Sequence, residues 1–398
     1  MTTSLRIMHI STRLILGGSQ ENTVLSCEGQ AARGHAVSLV YGPIYGPEGS
    51  LLARARSHGG IETIQTPRLV RPVNPVKDLR CYRDLRRLIA DWTPDVVHTH
   101  SSKAGVLGRF AAWKEGVRCV VHTVHGLPFH PYQSRVKNLA YIAAERAAAR
   151  RCHRIVVVAD AMREQALAED IGTAGQYVTV LSGMETATFL ESGQYRDEVR
   201  AELGFAPDDF VLGTVSRLAE LKGHDDLLDA LGPVMRTREN LKLLWIGDGW
   251  WRTRLMRRVA QLHLADRVVH TGLVEPARIP GLLAACDALA HPSYREGLPR
   301  AVPQALLSGV PVVVYDVDGA NEACSQGQTG RLVEPGDIAA LRDAVQWMMD
   351  NPRERAAMGE RGREACRERF DASTMVEKLE MVYASVLDVV VGTGPGAD

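Results

Sequence analysis

The chain has 398 residues, of which 45% are hydrophobic and 24% are charged, and its formal net charge is zero. A chain of this length exceeds one ordinary hydrophobic core, and its composition is typical of a globular protein with two domains. It contains no uncharged apolar run of about 18 residues, which argues against a membrane-spanning helix.

The charge is unevenly distributed between the two halves. Residues 1–185 carry 23 Lys and Arg against 15 Asp and Glu, whereas the remainder carries 24 against 32. A basic first half indicates an anionic partner, either a phosphate-bearing acceptor or the anionic surface of a membrane. Nucleic acid is not expected as a partner, because the chain shows no recognition motif and few clustered aromatic residues.

The seven cysteines include no C-x-x-C pair, and the N-terminal segment lacks the apolar region and cleavage site of a signal peptide. These features predict reduced thiols rather than a disulfide framework or a zinc site. We therefore expect a cytoplasmic protein, and a peripheral position at the inner face of a membrane stays open.

Short apolar runs alternate with amphipathic stretches in the first half. The runs predict strands at residues 5–10, 36–41, 61–64, 96–98, 119–123, 155–158 and 178–181. Helices are predicted between them, among others at residues 75–91, 103–114 and 134–151. This alternation predicts a doubly wound α/β domain over residues 1–185.

The same alternation resumes after a polar segment at residues 182–197. Further strands are predicted at residues 210–215, 242–246, 268–271, 288–290, 312–314 and 331–333. They indicate a second α/β domain over residues 195–373, followed by a long amphipathic helix at about residues 374–390.

A glycine pair, Gly17-Gly18, follows the first predicted strand, and Ser19 is a candidate N-cap for the next helix. Glycines allow the backbone to approach a phosphate or sugar, and helix N-termini favour anions. The pair alone fits a tight turn equally well. The absence of G-x-G-x-x-G argues against a dinucleotide-binding Rossmann domain.

His125 lies just past the strand predicted at residues 119–123, within the segment His122-Thr123-Val124-His125-Gly126. A histidine at a strand end can donate or accept a hydrogen bond near a reacting sugar. His122 is expected inside the strand as a hydrogen-bonded core histidine. From the residues alone, an incidental loop position is the commoner explanation for such a histidine.

Arg217 and Lys222 lie five residues apart in the loop after the strand at residues 210–215. Two cations at the end of a strand can bind a pyrophosphate, the arginine bidentately and the lysine as a point charge. Spacing alone also fits a solvated loop with two ordinary basic residues.

Glu296 follows the strand at residues 288–290, ahead of a helix expected to begin near Arg300. This places a carboxylate and backbone N–H groups at the carboxyl edge of a parallel sheet, where open α/β sheets bind their ligands. Two further strands end at Gly247-Asp248-Gly249 and at Thr271-Gly272-Leu273-Val274, where glycine turns are typical.

Together these segments resemble the retaining, nucleotide-sugar-dependent glycosyltransferases of family four. The resemblance rests on the glycine loop, the H-x-x-H-G segment, the G-x-V-x-R-L-x-x-x-K-G run from Gly213 to Gly223 and the E-G-L-P segment at Glu296. It covers nearly the whole chain. It implies the GT-B architecture: two doubly wound Rossmann-like domains that face across a cleft, with the C-terminal helix crossing back to the first.

The resemblance also implies a metal-independent transferase of the hexosyltransferase type, with a nucleotide sugar, expected to be a UDP-sugar, as substrate and no cofactor. His125 and Glu296 are then predicted to orient the sugar, and Arg217 and Lys222 to stabilise the departing diphosphate. These four are the predicted catalytic residues, and no covalent nucleophile is assigned. The predicted donor-binding residues are Gly17, Gly18, Arg217, Lys222, Gly247, Gly272, Leu273, Val274, Glu296, Gly297, Leu298, Arg300 and Gln304.

One position departs from the family pattern. The family carries a second glutamate eight residues after the first, where it holds the ribose hydroxyls, and this chain has Gln304 there. Glutamine still donates and accepts hydrogen bonds, but without charge assistance. The departure keeps a catalytically inactive scaffold open as an alternative. A nucleotide-sugar epimerase or hydrolase of the same fold is the other.

On the acceptor side, His100 and Lys103 join a strand to a helix and are predicted to bind a glycan, lipid-linked or small-molecule acceptor. A capped helix with a solvated lysine is an equally good explanation. The basic helix over residues 135–154 fits an anionic membrane surface or an ordinary solvated face. Asp316-Val317-Asp318 is a D-x-D sequence, but no metal site is expected, because the predicted cations already serve the diphosphate.

Overall fold

The computed structural model describes residues 4–46 and 48–391. Its contacts divide the chain into two compact units. The first unit runs to Met184 and resumes at Ala372, and the second spans Glu185–Asp371. Among the described helices, none combines the length and the apolar character that crossing a membrane requires.

The first unit contains a sheet of seven parallel strands with the order β3-β2-β1-β4-β5-β6-β7. Its strands are β1 (Arg6–Ser11), β2 (Ala36–Tyr41), β3 (Ile61–Gln65), β4 (Val96–His100), β5 (Cys119–Val124), β6 (Arg154–Val157) and β7 (Tyr177–Thr179). Its first six helices are α1 (Gly18–Ala32), α2 (Leu52–Ser57), α3 (Pro75–Trp92), α4 (Ser102–Lys114), α5 (Arg135–Ala149) and α6 (Asp160–Ala168).

The second unit contains six parallel strands with the order β10-β9-β8-β11-β12-β13. Its strands are β8 (Phe210–Val215), β9 (Leu241–Ile246), β10 (Val268–Gly272), β11 (Ala288–His291), β12 (Val312–Tyr315) and β13 (Gly330–Val333). Its helices are α7 (Thr186–Leu190), α8 (Arg196–Glu202), α9 (His224–Thr237), α10 (Arg252–Gln261), α11 (Ile279–Ala284), α12 (Ala301–Leu307), α13 (Ala320–Ala323), α14 (Ile338–Asp350) and α15 (Pro352–Arg367).

The last helix, α16 (Ala372–Val391), packs against the first sheet and α1, which confirms that the chain returns to the first domain. Val376, Leu379 and Tyr383 are buried there among residues of β1 and β5. Gly29 of α1 makes the approach close, because a Cβ at that position would lie 2.5 Å from a methyl group of Val376.

Each sheet has one point where the strand order reverses direction. In the first sheet the reversal falls between β1 and β4, and in the second between β8 and β11. In open α/β sheets, the loops that leave the carboxyl ends of two such neighbours diverge and form the ligand crevice. The loops after β1, β4, β8 and β11 are therefore the expected ligand-binding loops.

Candidate active site

Lys222 and Glu296 meet at the switch point of the second sheet, on the loops after β8 and β11. The Nζ atom of Lys222 lies 2.5 Å from Oε1 of Glu296 and 3.3 Å from Oγ of Ser293. The same carboxylate oxygen lies 3.0 Å from Nε2 of His291, the last residue of β11. Residues far apart in the chain thus form one charged cluster, because β8 and β11 are neighbours in the sheet.

The carboxyl group of Glu296 is held in its ionised form. Burial alone would raise its pKa, but the charge of Lys222 and the hydrogen bond from His291 outweigh burial and lower the pKa well below its usual range. An ionised carboxylate only accepts hydrogen bonds, so Nε2 of His291 is the donor. The side chains of Lys222 and Glu296 remain 19% and 16% exposed, so the pair lies at the surface of its unit.

The two loops that carry this pair are fastened to each other by their backbones. The carbonyl oxygen of Leu221 accepts a hydrogen bond from the backbone N–H of Tyr294 at 2.9 Å and another from Oγ of Ser293 at 3.1 Å. Gly223 adopts a φ of +69°, and a Cβ there would collide with the carbonyl oxygen of Pro292. Only glycine allows this contact, which sets the separation of the two loops.

A third loop, after β12, supports the Glu296 segment. The backbone N–H of Glu296 donates to Oδ2 of Asp318 at 2.7 Å, and the N–H of Gly319 donates to the carbonyl oxygen of Gly297 at 3.1 Å. Asp318 adopts a positive φ of 48° to reach this position. The second aspartate of the D-x-D sequence therefore shapes the loop that presents Glu296.

The glycines predicted to contact the nucleotide lie at the ends of β9 and β10. Gly247 donates its N–H to the carbonyl oxygen of Gly272 at 3.1 Å, and the two residues have φ values of +130° and +72°. A Cβ at Gly247 would collide with the carbonyl oxygen of Ser216. Beyond Gly272, Leu273 is 47% exposed, and Val274 is half-buried. The contacts predicted for these residues stay predictions.

Arg217 lies on the loop after β8 and is exposed, with its guanidinium carbon 5.6 Å from the ring centroid of Trp250. A cation over an aromatic face is held electrostatically, which orients the side chain. Helix α12 begins at Ala301, one residue after the predicted position, and carries the half-buried Gln304. Just before the helix, Gly297 and Leu298 are buried and Arg300 is half-buried. The donor contacts of all these residues stay predictions.

In the first unit, Gly17 rather than Ser19 is the N-cap of α1, so the predicted cap is wrong. Gly17 has extended backbone, Gly18 is the first helical residue, and Ser19 directs its hydroxyl to Oε1 of Gln20 at 2.9 Å. The glycine pair still opens the helix at the switch-point end of β1. Its contact with the donor stays a prediction.

His125 follows β5 directly and contacts His100, since their Nε2 and Nδ1 atoms lie 3.1 Å apart. His100 itself is 1% exposed, and its Nε2 atom lies 2.9 Å from Nδ1 of His9. Both ring nitrogens of His100 are thus engaged inside the unit, which argues against the predicted contact with an acceptor. The prediction placed His100 in a loop, whereas β4 continues through it.

Lys103 is also engaged within the first unit. Its ammonium group contacts Oδ1 of Asp78 at 2.7 Å and the carbonyl oxygen of Pro72, and its side chain is 12% exposed. Its predicted contact with an acceptor would compete with this ion pair. On α5, Val136 and Leu139 are 78% and 65% exposed. The predicted contact of this helix with a membrane stays a prediction.

Two sequence families match the chain. The family described as Glycosyl transferases group 1 matches residues 195–365, and the Glycosyl transferase 4-like domain matches residues 17–183. The chain belongs to the glycosyltransferases of family four. As a family-four member it is a nucleotide-sugar glycosyltransferase, and its two parallel α/β sheets are those of the GT-B fold.

Relatives and solved structures agree with this assignment. The family-four chain is 29% identical to the UDP-Gal:alpha-D-GlcNAc-diphosphoundecaprenol alpha-1,3-galactosyltransferase of Escherichia coli, over 72% of this chain and 74% of that protein. It is 23% identical to the capsular polysaccharide biosynthesis glycosyltransferase CapM of Staphylococcus aureus, over 83% and 89% of the two chains. The crystal structure of Anabaena HepE with UDP-glucose has a TM-score of 0.82 at 21% identity and covers 96% of this chain and 100% of that one.

Sequence reasoning on this family-four enzyme missed residues that act through others. His291 was passed over, although it ends β11 just ahead of the Glu296 loop. Asp226 was also missed, and its Oδ2 atom accepts hydrogen bonds from the hydroxyl groups of Tyr294 and Tyr315 at 2.6 Å each. Such partners leave no motif, because their role depends on which strands are neighbours.

Proposed function

We propose that this enzyme transfers a sugar from a UDP-sugar to an acceptor of glycoconjugate biosynthesis, with retention of the anomeric configuration. The observation that carries the proposal is the pairing of Lys222 with Glu296 at the switch point of the second sheet. The preference for uridine is supported by the UDP-glucose complex of Anabaena HepE and by the UDP-galactose named for the Escherichia coli relative.

In this proposal the charged residues divide the work between the two parts of the donor. Lys222 and Arg217 stabilise the negative charge that develops on the departing diphosphate, which is the step where fixed cations lower the barrier most. The ionised Glu296 accepts hydrogen bonds from the sugar hydroxyls, and His125 helps to orient the sugar. No residue is assigned as a covalent nucleophile.

The acceptor is proposed to bind to the first unit and to be a glycan, a lipid-linked sugar or a small molecule. The excess of basic residues in the first half supports an acceptor that carries phosphate, as the diphosphoundecaprenol of the Escherichia coli relative does. The same excess supports peripheral contact with an anionic membrane.

The proposal is tested on the lysine. Lys222→Ala is expected to lower kcat/KM for the UDP-sugar by about 100-fold, equal to about 3 kcal/mol of transition-state stabilisation. Lys242→Ala is the control, because Lys242 is half-buried in the amino-terminal half of β9, away from the carboxyl edge, and should leave the rate unchanged. Equal rates for Lys222→Ala and the wild type would refute the role of Lys222.

The identity of the donor and the type of reaction are determined in separate experiments. A thermal-shift panel of UDP-, GDP- and ADP-sugars identifies the base, because a ligand stabilises the folded state by mass action. Product analysis with and without acceptor then distinguishes transfer from the alternatives. Sugar release or conversion at the same rate without an acceptor would replace the transferase proposal by a hydrolase or epimerase.

A further inference from the structure

Three histidines are buried side by side in the first sheet, at its switch point. His9 of β1 and His98 and His100 of β4 are at most 1% exposed, and the rings of His98 and His100 stack with centroids 4.4 Å apart. Burial lowers the pKa of His9 to about 4 and the pKa values of His98 and His100 well below their ordinary value. All three rings are therefore neutral at physiological pH, each with one N–H and one acceptor nitrogen.

A metal ion is one candidate for such a cluster, since these three rings could offer nitrogens within 4.8 Å of one another. The hydrogen bonds argue otherwise, because every ring nitrogen of the three already has a partner. His98 lies 2.6 Å from Thr123 Oγ1 through Nε2 and 2.6 Å from the Tyr383 hydroxyl through Nδ1. His9 and His100 bond each other and one further group each. A metal ion would have to break these bonds.

The polar groups instead form a hydrogen-bonded chain with a defined direction, which begins at α16. The amide Nε2 of Gln30 donates to the Tyr383 hydroxyl at 3.1 Å, and Nδ1 of His98 lies 2.6 Å from the same hydroxyl. Because this hydroxyl is buried, its own proton is satisfied when Nδ1 of His98 accepts it. The amide oxygen of Gln30 then faces Nε2 of His9 at 2.7 Å, and an amide oxygen only accepts. His9 must therefore carry its proton on Nε2.

The donor and acceptor roles are fixed in the same way from His9 through His100 to His125. Because His9 is neutral with its proton on Nε2, its Nδ1 atom accepts from Nε2 of His100 at 2.9 Å. His100 is neutral as well, so its Nδ1 atom has no proton and accepts from Nε2 of His125 at 3.1 Å. Each link thus determines the protonated nitrogen of the next one.

We propose that Tyr383 and Gln30 are positioning residues that fix His125 as its Nε2–H tautomer through His9 and His100. The functional consequence rests on the proposed contact of His125 with the donor sugar. With Nε2 as the donor to His100, the acceptor nitrogen of a neutral His125 ring is Nδ1, which suits a sugar hydroxyl and not a diphosphate oxygen. The chain orients His125 without relaying protons, because the Gln30 amide at its end does not take up a proton.

The test reads the tautomers directly. The full-length protein is labelled with ring-¹⁵N histidine, and long-range ¹H–¹⁵N spectra assign the protonated nitrogen of each ring, with His125→Gln identifying the His125 signals. We expect the Nε2–H form for His9, His98, His100 and His125. The opposite orientation of the Gln30 amide would reverse every bond, so an Nδ1–H tautomer at His125 in the wild type overturns the proposal.

Tyr383→Phe tests whether Tyr383 sets the direction of these hydrogen bonds. This variant removes the acceptor of the Gln30 N–H, so the amide can rotate and offer its N–H to His9, and His125 should show both tautomers. Ser26→Ala is the matched control, because it also removes a buried hydroxyl from the contact between α1 and α16. Ser26 lies on α1 and contacts Met375 of α16, but it is not part of the hydrogen-bonded chain. An unchanged His125 tautomer in Tyr383→Phe, as in Ser26→Ala, overturns the role of Tyr383.

The rate separates this inference from the proposed function. Tyr383→Phe should lower kcat about tenfold, which is the low end of the roughly 10- to 100-fold effect of partners that orient metal-bound histidines. If the tautomers shift as expected and kcat does not change, the hydrogen-bonded chain stands and the substrate contact of His125 is refuted.

Discussion

The protonation state of Glu296 in the second unit is set by the balance between its burial and the charges around it. Glu296 is largely buried, yet its carboxyl group is ionised, because Lys222 and His291 both bond one of its oxygens. A lone buried carboxylate would take up a proton instead. The pair therefore requires both partners, and the effect of losing one depends on pH.

Glu296→Gln is expected to destabilise the protein at pH 7 by about 2 kcal/mol, because Lys222 loses its charged partner. The pKa of Glu296 is lowered in the folded state, so its ionisation stabilises the fold above the unfolded-state pKa of about 4.3. This contribution disappears as the pH falls through the folded-state pKa. Urea unfolding of both proteins between pH 7 and pH 3 measures it, and a difference that does not shrink with acid would contradict the assignment.

Gln304 is the residue at which this enzyme departs from its family. If its amide bonds the ribose, Gln304→Glu supplies a charge-assisted bond, worth about 1 kcal/mol more, and should tighten UDP binding about fivefold. Calorimetry with UDP measures the change. The control is Gln328→Glu, which adds the same charge at an exposed turn after α13. Equal affinities in the two variants would remove Gln304 from the nucleotide site.

At the scale of the elements, function depends on how loops from neighbouring strands are fastened together. Gly223 and Pro292 touch through their backbones, and Leu221 accepts hydrogen bonds from two residues of the other loop. The cluster of Lys222 and Glu296 therefore belongs to the pair of loops rather than to either loop alone.

Gly223→Ala should separate the two loops. Gly204 is the matched control, because its φ of +75° is similar but a Cβ there meets nothing within 4 Å. Gly204→Ala should cost about 1 kcal/mol from backbone strain, and Gly223→Ala about 3 kcal/mol, since the collision adds to the strain. Only Gly223→Ala should weaken UDP binding. Equal effects on stability and binding in the two variants would mean that the contact has no role.

The sequence predicted the elements well where burial dictates the residue type. Each strand of the described residues overlaps a predicted apolar run, because parallel strands covered on both faces are mostly apolar. The prediction ended one strand at residue 98, whereas β4 continues to His100. The cost of burying His98 and His100 is offset by their hydrogen bonds to His9, Thr123 and Tyr383. No local sequence pattern reveals these partners.

The whole molecule brings together residues that the sequence keeps far apart. Lys222 and Glu296 were both predicted as site residues from their motifs. Their direct contact, however, depends on the strand order β10-β9-β8-β11, and no motif states that order. The link between Tyr383 and the histidines of β4 depends in the same way on the return of α16 to the first sheet.

The packing of α16 against the first sheet can be tested by hydrogen exchange. Leu379 is 2% exposed on α16, and Leu379→Ala should cost about 3 kcal/mol through the cavity it leaves. Met381→Ala, on the same helix but 65% exposed, should be nearly neutral. Hydrogen exchange should accelerate in β1, β5 and α1 of the Leu379 variant and not in the second unit. Faster exchange in β8 and β11 instead would contradict the division into two units.

The position of α16 in the chain has a consequence for biosynthesis. The ribosome completes residues 185–371, the whole of the second unit, before it makes the helix that covers the first sheet. The apolar surface formed by Ile7, Val121 and their neighbours stays exposed to solvent during that time. Nascent chains of this enzyme should therefore depend on chaperones for their amino-terminal half, even though that half is translated first.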